Sequence, residues 1–231
     1  MRAKALDHVA LWVADRDAIA DFATRCLGMH IIERSDAFTL VGVDARRFKL
    51  TLFAALGRRE RGALKHVALR VRNLDALSGL GTLPLERAGP EEAYLDVSEG
   101  LRLGLVEAET DVDFDLDHIA LFSAAAEKSA REYARLGFAP ASPGRSGNPR
   151  VEVNGGYVEF HPGEPGDPAR PLLNHLAVLV DSADEHRSEA ERWGIEVADF
   201  VDAPNTLAVF VWGPERVKIE YVEHKPSFSL A

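Results

Sequence analysis

Long apolar runs are missing from this chain: no stretch approaches the ~20 residues that a helix needs to cross a bilayer, which argues against a helical membrane span. Cysteine is nearly missing too. The one thiol, Cys26, cannot form an internal disulfide, which points to a reducing compartment, and its place in a helical pattern over residues 22–27 makes it a small packed hydrophobe. Basic charge is short, with 27 Lys+Arg against 37 Asp+Glu and a formal net charge of −10, so neither nucleic acid nor an anionic membrane surface is expected as a partner. Residues 1–5 run straight into a strand pattern without the apolar stretch of a secretory leader, and the expected location is cytoplasmic. The 231 residues, 46% of them apolar, suffice for one large or two small domains, each with its own core.

Against that background one apolar phrase with a histidine set into it occurs four times: Leu6-Asp7-His8-Val9-Ala10-Leu11, Leu64-Lys65-His66-Val67-Ala68-Leu69, Leu116-Asp117-His118-Ile119-Ala120-Leu121 and Leu173-Asn174-His175-Leu176-Ala177-Val178. The histidines are 58, 52 and 57 residues apart, so the chain reads as four copies of one supersecondary unit. Each phrase alternates as a strand. A helix is expected after it at residues 14–27, 124–136 and 182–193, with Asp15 and Ser182 as N-caps and Gly28, Gly137 and Gly194 as left-handed stops. Strands are expected at 37–43, 150–153 and 207–212, with turns at Asn154-Gly155-Gly156 and Gly213-Pro214, which gives each unit the order βαβββ. In the second copy the helical segment, 71–85, is interrupted by Gly79, Gly81 and Pro84, so a turn or two is expected there. The acidic stretch 107–115 reads as a linker between two halves, 1–110 and 111–231, and the Pro- and Gly-rich stretch 162–171 as an exposed connection.

The closing strands differ among the copies. At the equivalent position the first two carry Thr51 and Gly104, and the last two carry Glu159 and Glu220. A carboxylate in an apolar strand is costly unless it is paired or bound to a cation. His118, Glu159, His175 and Glu220 therefore form the candidate metal set, with N and O donors that suit one divalent ion of Fe, Zn, Ni, Co or Mn. His8 and His66, without an acidic partner, read as hydrogen-bonded core residues. His161 and His224 follow the two glutamates on the same strand faces and read either as general acid or base groups or as solvated side chains. Arg150 can contact an anionic substrate, or lie on an edge strand in water.

The four openings, the helix endings Cys26-Leu27-Gly28-Met29 and Arg135-Leu136-Gly137-Phe138, and the closing segment from Trp212 through Gly213-Pro214 to Glu220 resemble the vicinal oxygen chelate superfamily, which includes glyoxalase I, extradiol dioxygenases and bleomycin-resistance proteins. The resemblance implies an α+β fold of four βαβββ modules paired into two curved mixed sheets. It also implies metal ligands from the first and last strands of paired modules. Carried onto this chain with consecutive modules paired, it makes 1–110 a metal-free pair and 111–231 the pair that holds metal through His118, Glu159, His175 and Glu220.

The activity so implied is metal-dependent chelation of a small oxygenated substrate for proton-transfer chemistry of the isomerase, lyase or epimerase kind. Glu159, Glu220 and His161 are the catalytic candidates, and Arg150 and Phe210 the substrate-binding ones. The alternatives are an Fe(II)-dependent extradiol dioxygenase and a metal-free drug- or metabolite-binding protein. Phe210 stands where the ring-cleaving members resemble one another in having tyrosine, which weighs toward proton transfer. The expected partner is a small-molecule substrate, and a homodimer is left open.

Overall fold

The computed structural model describes residues 1–45, 47, 49–77, 83–144 and 146–230. The first unit comprises β1 (Ala5–Val13), α1 (Arg16–Cys26), β2 (His30–Arg34), β3 (Phe38–Gly42) and β4 (Lys49–Ala54). The second has β5 (Leu64–Val71), a single 3-10 turn (Asp75–Leu77), β6 (Glu86–Arg87), β7 (Glu92–Asp96) and β8 (Arg102–Glu107). The third has β9 (Asp115–Ser123), α2 (Ala126–Arg135), β10 (Ala139–Ala141), β11 (Arg150–Val153) and β12 (Gly156–Pro162). The fourth has β13 (Leu173–Leu179), α3 (Ala183–Arg192), β14 (Val197–Asp202), β15 (Thr206–Trp212), a 3-10 turn (Pro214–Arg216) and β16 (Lys218–His224). The order βαβββ thus recurs, and among the described residues of the second unit a short 3-10 turn stands where the other units have a helix; Gly79 and Gly81 lie outside the described residues.

Local chemistry accounts for the helix limits. The Asp15 side chain accepts from Ala18 N and the Ser182 hydroxyl from Glu185 N, so two of the three helices begin on side-chain caps. All three stop before a glycine with positive φ, at 61° for Gly28, 97° for Gly137 and 66° for Gly194. Gly137 is the most constrained, because a Cβ there would lie 2.9 Å from the Met1 carbonyl carbon. We expect Gly137→Ala to cost about 1–3 kcal/mol, read as a lower urea midpoint with an unchanged slope.

The strands form two mixed sheets of eight, in the orders β14-β15-β16-β13-β1-β4-β3-β2 and β10-β11-β12-β9-β5-β8-β7-β6. Within each unit the first and last strands are parallel neighbours, and the two units of a sheet join through their first strands, antiparallel, β1 with β13 and β5 with β9. The first unit therefore pairs with the fourth and the second with the third. This corrects the division at residue 110: the acidic stretch 107–115 is a return from β8 to β9 inside one sheet, and halves 1–110 and 111–231 each contribute to both sheets. The crossings between sheets are the segments 55–63 and 163–172, which run side by side, with Glu60 N donating to Arg170 O and Leu172 N to Glu60 O.

One apolar core lies between the sheets. Val9, Leu11 and Val13 of β1 join Val67, Leu69 and Val71 of β5, Ile119 and Leu121 of β9, and Leu176 and Val178 of β13, all buried. Alternation sends the histidines to the opposite faces.

Candidate metal centre

The recurring His-x-Ala phrase has a geometric reason. In the antiparallel ladder of β1 and β13, His8 lies opposite Ala177 and Ala10 opposite His175, so each imidazole faces a methyl group and the two rings can converge. The ladder of β5 and β9 repeats this, with His66 opposite Ala120 and Ala68 opposite His118. The parallel neighbours set one further residue beside each alanine: Thr51 beside Ala10, Glu220 beside Ala177, Gly104 beside Ala68 and Glu159 beside Ala120. Each sheet thus offers four side-chain positions around two alanines.

The residue before each histidine matters equally. The ladders shift register between residues 6 and 8, 64 and 66, 116 and 118, and 173 and 175, so the intervening residue sits at a bulge and can reach its neighbour's ring. His8 Nδ1 donates to Asp7 Oδ1 at 2.8 Å, His118 Nδ1 to Asp117 Oδ2 at 2.8 Å, and His175 Nδ1 to Asn174 Oδ1 at 3.2 Å. A ring that donates from Nδ1 in its neutral form presents a lone pair at Nε2, as a metal ligand must. Lys65 occupies the bulge of the second copy and is a donor, so the buried His66 Nδ1 has no hydrogen-bond partner among the described residues.

In the sheet of the first and fourth units three donor atoms meet. His8 Nε2 lies 3.0 Å from His175 Nε2, and Glu220 Oε2 lies 2.8 Å from His175 Nε2 and 3.1 Å from His8 Nε2. Ligands at about 2.1 Å from one ion and at right angles to one another stand about 3.0 Å apart, so the separations match one face of an octahedron. Glu220 Oε2 is buried and, among the described residues, has no aligned hydrogen bond, the condition of an oxygen pointed at a shared centre. Among the described residues, His8, His175 and Glu220 form the group of three that could hold a metal ion. Thr51, buried in the fourth position, brings a hydroxyl and no charge.

Charges favour a cation at this point. Burial pulls the His8 imidazole down, but the Glu220 and Asp7 carboxylates outweigh it and push it up to about 9. Burial would raise Glu220, yet His8 and His175 hold it at about 2. His175 is lowered, chiefly by burial. Asp7 is anchored in turn: its Oδ2 accepts from Lys49 Nζ at 3.0 Å and lies 3.2 Å from His224 Nε2. Aromatic rings wall the same face, with Phe210 edge-on to His175 at 5.1 Å between centroids, Phe53 at 6.3 Å, and Trp12 against Phe53 at 5.3 Å.

The sheet of the second and third units is arranged otherwise. His66 Nε2 and His118 Nε2 are 2.9 Å apart, but Glu159 turns from them, its Oε2 lying 2.6 Å from His161 Nε2 and its Oε1 accepting from Ser146 Oγ at 2.5 Å. Lys65 Nζ and Asn148 Nδ2 both donate to His161 Nδ1, at 2.9 and 3.0 Å. Burial and the neighbouring His118 and Lys65 push His66 down to about 2, so it stays neutral. The Gly104 position is closed as well: a Cβ there would meet Ala68 Cβ at 3.2 Å and His66 Cδ2 at 3.3 Å.

Residues 5–80 match the model of the Glyoxalase/Bleomycin resistance protein/Dioxygenase superfamily. The whole chain is similar in structure to a Bacillus subtilis protein thought to be a dioxygenase, with a TM-score of 0.79, 17% identity, and coverage of 98% of this chain and 87% of that one. Glyoxalase I from Zea mays is similar with a TM-score of 0.78, 15% identity and coverage of 96% and 92%. The cppA protein from Streptococcus pneumoniae is similar with a TM-score of 0.63, 15% identity and coverage of 96% and 98%. Residues 5–80 belong to this superfamily, and the whole chain has its fold. No curated protein matches the sequence.

The superfamily fold divides the set expected from sequence. His175 and Glu220 stay together, but their partner is His8, which reads from sequence as structural; His118 and Glu159 lie in the other sheet, so the four-residue set His118, Glu159, His175 and Glu220 is not assembled. The reason is the pairing of units one and four, which puts β1 and not β9 beside β13. His161 accompanies Glu159 and not the triad, and Arg150 sits over Tyr157 in the same sheet, its Cζ 4.8 Å from that ring centroid. Phe210 does lie at the triad. His224 stacks on Phe228 and reaches Asp7. The signals sequence reasoning missed were the acceptor before each histidine and the alanine two residues after it.

Proposed function

We propose that the chain is a metal-dependent enzyme acting on a small molecule with vicinal oxygens, its ion held by His8, His175 and Glu220, and that its reaction is oxygen-dependent cleavage of the extradiol kind. The observation that carries this reading is the single carboxylate: two imidazoles and one glutamate share one point, and Thr51 stands where a second glutamate would supply the base of a proton-shuttling centre. A divalent iron bound there would supply a Lewis acid with open positions for two substrate oxygens and dioxygen. Asp7 and Asn174 fix the tautomer and tilt of the two rings. Phe53, Phe210 and Trp12 exclude water and offer flat surfaces to an unsaturated ring. Asp7, held by Lys49 and close to His224, keeps the hydrogen of His8 on Nδ1, so that Nε2 presents its lone pair to the ion.

Phe210 favours a second reading. Its ring places no hydroxyl near His175, and ring cleavage as the superfamily resemblance implies it uses one, so metal-dependent proton transfer with Glu220 as the base is the competing assignment. Elemental analysis of protein purified without chelator tests for the metal. Oxygen uptake with a panel of catechols after anaerobic loading with Fe(II) is the expected result. Disappearance of a hemithioacetal under Ni or Zn, without oxygen uptake, would establish the competing assignment instead.

A further inference from the structure

We propose that Lys218 is the anchor for an anionic group of the substrate, so that the molecule handled at the triad is a small, flat carboxylate; this rests on the centre assigned above. Lys218 and Glu220 alternate onto one face of β16, and Lys218 is the ladder partner of His175. Its side chain therefore leaves the sheet next to His175. A cavity of about 280 Å³ lies on the other side of Lys218 from the triad ligands, which do not line it; its wall holds Trp12, Trp212, Asn174 and Lys218 together with the charged Asp167, Glu215 and Arg216. Asn174 is the residue that orients His175, so cavity and triad share a wall.

Among the described residues Lys218 has no ion pair or hydrogen bond; its Nζ stands over two rings, Phe210 at 5.9 Å and Trp212 at 6.0 Å from their centroids, and feels the Asp199 and Glu220 carboxylates only beyond ion-pair distance. The other cation of this wall, Arg216, is paired with Asp167 at 3.2 Å. A half-buried ammonium group left to ring faces has given up hydration for a weak return, and an anion in the cavity would restore the balance. The cavity also limits the ligand. Its volume is just below the range usual for small-molecule sites, and because Arg216 is already engaged by Asp167, the cation left to a ligand is the single point charge of Lys218 beside two rings, which suits a small monoanionic carboxylate better than a phosphate ester. In a chain of net charge −10, a cation at the substrate's entry also selects among ligands that the rest of the surface repels.

The test is calorimetric titration of Co(II)-loaded protein with 3,4-dihydroxybenzoate and with catechol, which differ only in the carboxylate. We expect the carboxylate to bind at least about tenfold tighter, as one charge-assisted hydrogen bond provides, and Lys218→Met to bring the two probes together while the Co(II) absorption spectrum stays unchanged. Lys218→Gln, run in parallel, serves if the methionine variant does not fold. A wild-type protein without preference for the carboxylate, or a preference that survives in both variants, overturns the assignment. Failure of Co(II) to bind would instead overturn the metal centre, and the same comparison on metal-free protein would still read the contribution of Lys218.

Discussion

His8→Ala, His175→Ala and Glu220→Ala will each lose the metal, with affinity falling more than about 100-fold, whereas His118→Ala and Glu159→Ala will keep it. The magnitude follows from the size of lesser effects, since removing a group that only orients a ligand costs about 10–100-fold and deleting the ligand costs more. The contrast follows from geometry. In one sheet the Nε2 atoms of two histidines and a glutamate oxygen lie within 3.1 Å of one another; in the other, the equivalent glutamate is engaged by His161 and Ser146. Metal content after dialysis, measured for all five variants under one protocol, decides it. Retention of metal by His8→Ala together with its loss from His118→Ala would show that the centre is in the other sheet.

The largest loss of stability is expected from Lys49→Met. Lys49 is 3% exposed and Asp7 5%, and the ammonium group also donates to the Ala45 carbonyl at 2.8 Å. Removing the cation leaves a buried carboxylate facing His8 and His224 alone, and breaking a buried pair on one side typically costs about 3–5 kcal/mol. For a domain of this size that is a fall in melting temperature of roughly 10 °C. Asp7→Asn combined with Lys49→Met should recover part of the loss, because no unpaired charge remains. A melting temperature within about 2 °C of wild type for the single variant would mean that water reaches Asp7 and that the pair is not truly desolvated.

Much of the fold is legible in the sequence because it is local. Alternation, caps and glycines that must take positive φ mark the strands and helices of each unit, and the bounds found for α1, α2 and α3 fall inside those expected. The pairing of units is not local. All four opening strands carry the same His-x-Ala phrase, and each could lie antiparallel to any other with a histidine opposite an alanine. The acidic residues 107–115 carry no mark that distinguishes a return within a sheet from a crossing between sheets. The candidate site inherited that ambiguity: the residue types of the centre were recognisable, but the partner of His175 depended on which strand lay beside β13. Lys65 in place of an acceptor was the one local sign that the copies differ around the ring itself, and it agrees with the orphaned His66 Nδ1.

The pairing of the first unit with the last sets the order in which the molecule can be completed. The second and third units are neighbours along the chain and can zip together as soon as β12 is made, with only short loops to close. The sheet that holds the triad cannot: β1 must wait for β13, and Glu220 arrives more than two hundred residues after His8. During synthesis the first unit therefore stands with an open strand edge until the fourth arrives, while the sheet without the three-donor cluster serves as its scaffold. A chain cut anywhere between His8 and Glu220 can retain much of its secondary structure and still lack the centre, so metal binding reports on the integrity of the whole polypeptide.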